Sequence, residues 1–386
     1  MEKEYVRGRP KMRECRFGVV GLGMMGKEFA SAASRWVHLQ EDIPAPKIVG
    51  VSSATEKSLE WFRRSVPGIE AFTTEYRELL AREDIDAVYI ATPHNLHRGM
   101  CLDVLRAGKH LICEKPFGID AEANRAIVEE ARKHPELLVR CASQMIFLPG
   151  ARMVLEWFRE RRFGRILQIK MGFKHSSDIN PLKPINWKRR VETNGEYGVM
   201  GDLAPHILLM ALRAGVEVEQ VYADLRNIVH TRPGPDGQMV PCDTWDNALL
   251  LTRAHWGEDE FPMEVEVSRI APGSPNDWFI EVYGMQGSIR YSTEDANAVY
   301  AAEIRGVEQV WTKYEVGYTP VYRTVTGPLG TFGFSDAILQ MWAAYLDQWQ
   351  GNTPKESCMT PEEARRCHEI LTAALISQRE GRIVRL

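Results

Sequence analysis

Five short stretches hold residues whose types and spacing could do chemistry. Gly21-Leu22-Gly23-Met24-Met25-Gly26 is a G-x-G-x-x-G run that follows an apolar stretch and opens a helix-like one. In that context the first glycine allows a tight turn and the second lets backbone, including Met24 and Met25, approach a pyrophosphate. The third, Gly26, lets helix and strand pack closely, and the phosphates meet unpaired N–H groups at the helix start. Past the next apolar run, where a carboxylate would receive ribose hydroxyls, stand Ser53 and nearby Lys57. A small hydroxyl with a cation close by suits a 2′-phosphate, so NADP is favoured over NAD, with Glu56 or backbone on a free ribose as the other reading.

Thr92-Pro93-His94-Asn95-Leu96-His97 and Glu114-Lys115-Pro116 each follow an apolar run. Ligands of parallel α/β sheets bind at such strand ends. A lysine beside a cofactor and low-dielectric walls can serve as a proton acceptor, although Glu114 and Lys115 are also consistent with an ordinary surface pair. Asp202 and His206 are four apart, so a helical turn would face them the same way. An acid beside an imidazole is the recurrent logic of proton transfer. Equally, Asp202 could cap a helix and His206 could be a buried packing residue. Pro205 suits a first helical turn, which sets the expected helix start near Leu203 or Ala204.

Positioning these residues requires a scaffold. Apolar runs at Arg16–Val20, Lys47–Val51, Asp86–Ala91, His110–Cys113 and Leu137–Cys141 alternate with helix-length segments such as Lys57–Arg64 and Ala121–Lys133. That alternation predicts an α/β fold, a parallel sheet covered on both faces by helices. Beyond Met145 a helix over Ala151–Arg161 is followed by strand-like segments at Ile166–Phe173, Val218–Asn227, Asn247–Ala254, Met263–Ser268, Trp278–Tyr283 and Gly287–Tyr291. Turn-rich stretches between many of these indicate a mostly antiparallel sheet in an α+β domain. Helices return at Ser335–Gln350 and Pro361–Gln378. Just before Asp202 lies Ile185-Asn186-Trp187-Lys188-Arg189-Arg190, where Trp187 could cover the apolar face of a sugar ring and Arg190 or its basic neighbours could bind hydroxyls or a carboxylate.

Composition narrows the function class. The chain has 386 residues, a net charge of −4 and 44% hydrophobic residues, the profile of a globular protein without the basic excess of a dedicated nucleic-acid binder. No apolar run approaches the roughly 18 residues that span a bilayer, so no membrane association is expected. Seven scattered cysteines without a C-x-x-C pair fit reduced thiols in a cytoplasm better than disulfides or structural zinc. His94 and His97 lack partners at ligand spacing, and no metal is expected.

Together, the stretches Gly21–Gly26, Thr92-Pro93 with His97, Glu114-Lys115-Pro116 and Asp202 with His206 resemble the glucose–fructose oxidoreductase, inositol dehydrogenase and MocA (Gfo/Idh/MocA) family. Glu281-Val282-Tyr283-Gly284 with Gly287, and a last helix ending at Gly381-Arg382-Ile383-Val384, extend the likeness along the chain. The resemblance implies a Rossmann dinucleotide-binding domain over 14–145 and a substrate-binding and oligomerisation domain over 146–334. It places the helices of 335–386 back on the first domain and implies a homodimer or homotetramer. It also implies a dehydrogenase that moves hydride between NAD or NADP and a secondary alcohol of a sugar, anhydrosugar or cyclitol. Lys115 and His206 would form the proton relay, Asp202 would orient substrate and histidine, and Trp187 and Arg190 would join them around the substrate. Glu114, Thr92, Pro93, Asn95, His97 and Gln144 would border the cofactor. Two other activities are compatible: redox-neutral glycoside cleavage with a retained dinucleotide, and a non-catalytic dinucleotide-binding regulator.

Overall fold

The computed structural model describes residues 13–328 and 330–386. In chain order its first part comprises strands β1 (Glu14–Val20), β2 (Ala45–Ser52), β3 (Ala71–Thr73), β4 (Ala87–Ile90), β5 (His110–Cys113) and β6 (Val139–Cys141). Helices α1 (Met24–Ser34), α2 (Glu56–Ser65), α3 (Arg77–Leu80), α4 (His97–Arg106) and α5 (Ala121–Lys133) lie between them. These strands form one parallel sheet in the order β3-β2-β1-β4-β5-β6. That is the strand order of a Rossmann fold, whose ligand crevice opens at the carboxyl ends beside β1.

Local chemistry accounts for these elements. β1 and β4 are near-continuous apolar runs because both faces of the sheet are covered. Asp120 caps α5, its side chain accepting from the Ala123 N–H at 2.7 Å. β3 escapes the apolar-run reading because it has only three residues, all half-buried at the sheet edge.

The second part opens with α6 (Pro149–Arg159), then β7 (Ile166–Lys174), the one-turn α7 (Val191–Asn194) and α8 (Val199–Arg213). Next come β8 (Glu217–Arg226), a ribbon of β9 (Thr231–Pro233) and β10 (Met239–Pro241), β11 (Asn247–Trp256), β12 (Asp259–Ser268), β13 (Asp277–Gly284) and β14 (Gly287–Ser292). They are followed by β15 (Ala298–Arg305), β16 (Glu308–Glu315), α9 (Phe334–Trp349), α10 (Pro361–Glu380) and β17 (Val384–Arg385). Nine of these strands form a sheet, β16-β15-β14-β13-β7-β12-β11-β8-β17, in which only β7 and β12 run parallel. β11 alternates buried and exposed residues, as a sheet with one covered face requires.

The terminal helices join the two sheets. Trp342 of α9 stacks on Phe29 of α1 with ring centroids 3.8 Å apart and meets Phe17 of β1 edge-on. α10 starts with a capping box between Thr360 and Glu363 and ends at Gly381 in the left-handed conformation. From α10, Ser377 accepts from the Ala223 N–H of β8 at 3.0 Å, while Glu362 pairs with Arg132 of α5 at 3.2 Å. No described helix is long and apolar enough to cross a membrane.

Candidate active site

Strand register brings the chemistry-bearing stretches to one edge. Val20 lies beside Ser52 on one side and Ile90 on the other, and Ile90 lies beside Cys113. All four strands run parallel, so the residues that follow, Gly21, Ser53, Ala91 and Glu114, leave the sheet together. They border a cleft of about 440 Å³ lined also by Gly23, Met24, Met25, Thr92, Pro93, Lys115, Trp187 and Asp202.

Each glycine of the G-x-G-x-x-G run has its own reason. Gly21 has φ +98°, and a Cβ there would strike the Ala91 carbonyl, while a Cβ at Gly26 would strike the Gly21 carbonyl. A Cβ on Gly23 would meet nothing within 4 Å and would enter open space beside the cleft. Gly23 also precedes α1, whose first N–H groups have no side-chain cap. Uncapped amides beside a glycine with nothing in front of it fit a dinucleotide pyrophosphate. Gly21→Ala is therefore expected to destabilise the fold by about 1–3 kcal/mol, visible as a lower melting temperature. Gly23→Ala should leave the melting temperature nearly unchanged while weakening dinucleotide binding about tenfold or more, read by NADH fluorescence titration.

Asp202 is the electrostatic centre of the site. It sits on the first turns of α8, a helix buried from Val199 to Ala211 because it is apolar nearly all round. Its residue is 2% exposed. Lys115 Nζ donates to Asp202 Oδ1 at 2.7 Å and to the Asp202 backbone carbonyl. Lys188 Nζ donates to both carboxylate oxygens, at 2.9 and 2.8 Å. Burial works against the charge, but Lys115, Lys188 and Arg269 outweigh it and hold the carboxyl well below its ordinary value. Glu114 is shifted the other way. Burial raises it, against the opposing pull of Lys115 and of the Tyr89 hydroxyl, which donates to Glu114 at 2.8 Å.

His206 is 6% exposed and its ring makes no hydrogen bond to the described residues; Phe173 packs on it edge-on at 5.7 Å. Burial, reinforced by Lys115 and Lys188 against Asp202, pushes its pKa down to about 3. The helical spacing expected for Asp202 and His206 is present, but no hydrogen bond joins them. The carboxylate is engaged by the two lysines, so it organises cations rather than the imidazole. α8 also begins earlier than Leu203. Gly198, at φ +55°, turns the chain into Val199, and Pro205 lies inside the helix with Gly201 as the residue whose carbonyl it leaves unbonded.

Several sequence candidates lie off the cleft. Lys57 is exposed on α2 and Asn95 is exposed on the turn before α4. His97 is fully buried and spans two site loops, its Nδ1 2.8 Å from the Pro116 carbonyl and its Nε2 3.0 Å from the Thr92 carbonyl. Gln144 is buried in the turn Gln144–Phe147, outside the cleft lining, its Oε1 without a partner among the described residues. Arg190 points to solvent. The reason is the 3₁₀ turn Trp187–Arg189, in which consecutive side chains diverge by roughly a third of a circle. Lys188 therefore takes Asp202 while Arg189, 0% exposed, takes buried Asp246, and Arg190 is left outside.

Two residues belong to the site that the sequence did not single out for it. Lys188 was one of three adjacent basic residues, indistinguishable until the turn was known. His94 lines the cleft, with Nδ1 3.1 Å from the Asn194 carbonyl and the Trp187 ring edge-on at 4.8 Å. Burial, assisted by His97 and Lys115, lowers its pKa well below the usual value, which leaves an imidazole without charge beside Trp187.

Comparison with known proteins places this architecture. The family described as an oxidoreductase family with an NAD-binding Rossmann fold matches residues 15–140, and its GFO/IDH/MocA C-terminal domain matches residues 151–290. Levoglucosan dehydrogenase of Pseudarthrobacter phenanthrenivorans is 27% identical over 323 residues, covering 78% of this chain and 81% of that protein. Glycosyl hydrolase family 109 protein 1 of Phocaeicola vulgatus is 30% identical over 200 residues, 49% of this chain and 40% of its own length. Among solved structures, levoglucosan dehydrogenase in complex with NADH and levoglucosan superposes with a TM-score of 0.86 at 23% identity, covering 97% of this chain and 99% of that one. An NAD-binding oxidoreductase from Klebsiella pneumoniae also gives 0.86 at 23% identity, over 96% and 99%. These superpositions share the two-sheet fold, and the two family matches take in both the G-x-G-x-x-G edge and the Asp202 helix: the chain belongs to the Gfo/Idh/MocA family of NAD-binding oxidoreductases.

Proposed function

We propose that the protein is a dehydrogenase acting on a secondary alcohol of a sugar, anhydrosugar or cyclitol. The observation that carries this reading is the Lys115–Asp202–Lys188 cluster, set at the edge of the dinucleotide cleft beside Trp187. When bound, the nicotinamide supplies the hydride-accepting or hydride-donating carbon. The chain's own groups hold the alcohol and move its proton. Lys115 Nζ donates a hydrogen bond to the reacting oxygen, and Asp202 keeps that ammonium aimed across the cleft. In the oxidising direction the C–H bond of the carbinol gives up hydride as the O–H proton passes to His206, which is uncharged at neutral pH. Reduction runs the same path backwards. Trp187 and Glu114 line the cleft, where Trp187 would cover the apolar face of the ring and Glu114 would border the nicotinamide. The family relative that acts on an anhydrosugar, levoglucosan dehydrogenase, supports this substrate class.

Cofactor choice follows from the lining next to β2. Ser52, Ser53 and Ala54 bring neither an acid nor a cation to the ribose position. Without a carboxylate to repel it, a 2′-phosphate is accepted, and NADP is used at least as well as NAD. Ser53→Asp is expected to lower kcat/KM for NADP at least about tenfold through charge repulsion and to spare NAD. Equal effects on both dinucleotides in a steady-state comparison would count against this placement of the ribose.

A second reading has a specific support. The glycosyl hydrolase family 109 relative favours redox-neutral glycoside cleavage, in which hydride returns to the sugar after the leaving group departs. Absorbance of reduced nicotinamide separates the two. A panel of sugars, anhydrosugars and cyclitols with NAD⁺ or NADP⁺ gives a growing signal for a dehydrogenase. Release of the leaving group under a flat trace identifies the redox-neutral enzyme.

A further inference from the structure

Lys188 is engaged by the same carboxylate as Lys115, and the geometry is unequal. Lys115 reaches Oδ1 of the Asp202 carboxylate and the Asp202 backbone carbonyl, whereas Lys188 spans both carboxylate oxygens, Oδ1 and Oδ2. Lys188 is also held through its backbone. Its carbonyl accepts from Arg269 at 2.9 Å and from the Thr244 hydroxyl at 3.0 Å, and its N–H is capped by Asn186 at 2.9 Å. The side chain therefore starts from a fixed turn, while its ammonium lines the cleft. A lysine tied down this firmly is placed to orient the carboxylate, not merely to neutralise it.

We propose that Lys188 is a positioning residue for the reaction: by spanning both carboxylate oxygens of Asp202 it fixes the carboxylate and leaves Lys115 only part of one of them, so that the Lys115 side chain stays available to the substrate. The proposal rests on the dehydrogenase reading for its consequence, but its geometry concerns only groups of this chain. The charged and titratable groups that face Lys188 come from every surrounding element. They are Asp202 and His206 on α8, Lys115 and Glu114 after β5, Arg269 after β12, and His175 after β7. Removing Lys188 takes one cation from this set and hands Lys115 the whole carboxylate. The Lys115 side chain is then held more tightly by the carboxylate, which makes it less open to acylation and a poorer partner for the reacting oxygen.

The test needs no substrate. The full chain is acetylated with acetic anhydride at fixed pH, and mass spectrometry reads the initial rate at Lys115 against exposed Lys57 as an internal reference. In Lys188→Met the relative rate at Lys115 should fall at least about threefold, and in Lys188→Arg it should return close to wild type. An unchanged or increased rate in Lys188→Met, or the same fall in Lys188→Arg, overturns the proposal. Lys188→Gln is run in parallel, so that a folding defect of the methionine variant leaves a soluble variant for the same comparison. Turnover forms the second arm. With a substrate found in the panel, kcat of Lys188→Met should fall at least about tenfold with NADH affinity unchanged, and Lys188→Arg should recover most of it. A wild-type kcat in Lys188→Met overturns the proposal. Absence of turnover by the wild-type chain on every substrate defeats the dehydrogenase reading instead, and the labelling rates still decide the role of Lys188.

Discussion

Asp202→Asn is expected to abolish turnover and to destabilise the protein at the same time. The asparagine keeps the shape but removes the charge that Lys115 and Lys188 share. Breaking a buried ion pair from one side costs roughly 3–5 kcal/mol, because a cation is left without its counter-charge. Lys188 is more than a third exposed and can turn to water, so the loss should sit at the lower end of that range, about 3 kcal/mol. Lys115, with 14% of its side chain exposed, has no such escape. Its ammonium is released from its place beside the reacting oxygen, and kcat should fall by about 10²-fold or more. Thermal melts and steady-state rates on the same preparation check both halves. A variant with normal stability and normal kcat would mean that the two lysines do not depend on Asp202.

Lys115→Met is the complementary change, with a large kinetic effect and a small structural one. Methionine fills the same space without the ammonium, and Asp202 keeps Lys188 as its counter-charge, so no buried charge is orphaned. The reacting oxygen loses its hydrogen-bond donor, and kcat should drop by about 10²–10⁴-fold, the range of a lost general acid–base group. Affinity for NADH, measured by fluorescence, should stay within about a factor of three, because the uncapped amides of the Gly21–Met25 turn, and not Lys115, are placed to hold a pyrophosphate. If binding and turnover fell together, Lys115 would be a cofactor anchor.

Much of this site was legible because it depends on strand ends. The apolar runs announce β1, β2, β4 and β5, and parallel pairing then brings Gly21, Ser53, the Thr92 turn and Lys115 to one edge without further information. Asp202 and His206 could be placed on one helix by spacing alone. Their relation could not, since the partners of Asp202 come from residues 115 and 188, in segments whose approach depends on how the second sheet docks on the first. Arg190 is exposed and outside the cleft lining for a local reason. Lys188 and Arg189 lie in a tight 3₁₀ turn and Arg190 is the extended residue after it, a division that the sequence does not mark. His97 illustrates a different limit. It follows the Thr92 turn along the chain, yet its side chain is consumed in bracing the Thr92 and Pro116 carbonyls.

Of the elements that escaped the sequence, β16 and β17 are without an alternating or continuous apolar pattern. β16 is exposed at every position, because it forms the sheet edge, and its charged residues Glu308, Lys313 and Glu315 carry no strand signal. β15 lies beside it as its only described route into the sheet. β17 has two residues and forms only because α10 delivers it to β8.

The central claim is that hydride leaves a carbinol carbon of a sugar-type substrate for the nicotinamide in this cleft, with Lys115 at the reacting oxygen. It is tested most directly by incubating the protein and oxidised dinucleotide with the panel's substrate deuterated at that carbon. The mass of the reduced dinucleotide is then recorded. The account predicts deuterium in the dinucleotide, in proportion to product formed by the wild-type chain and nearly absent with Lys115→Met. Reduced dinucleotide without deuterium, or full transfer by Lys115→Met, would contradict it.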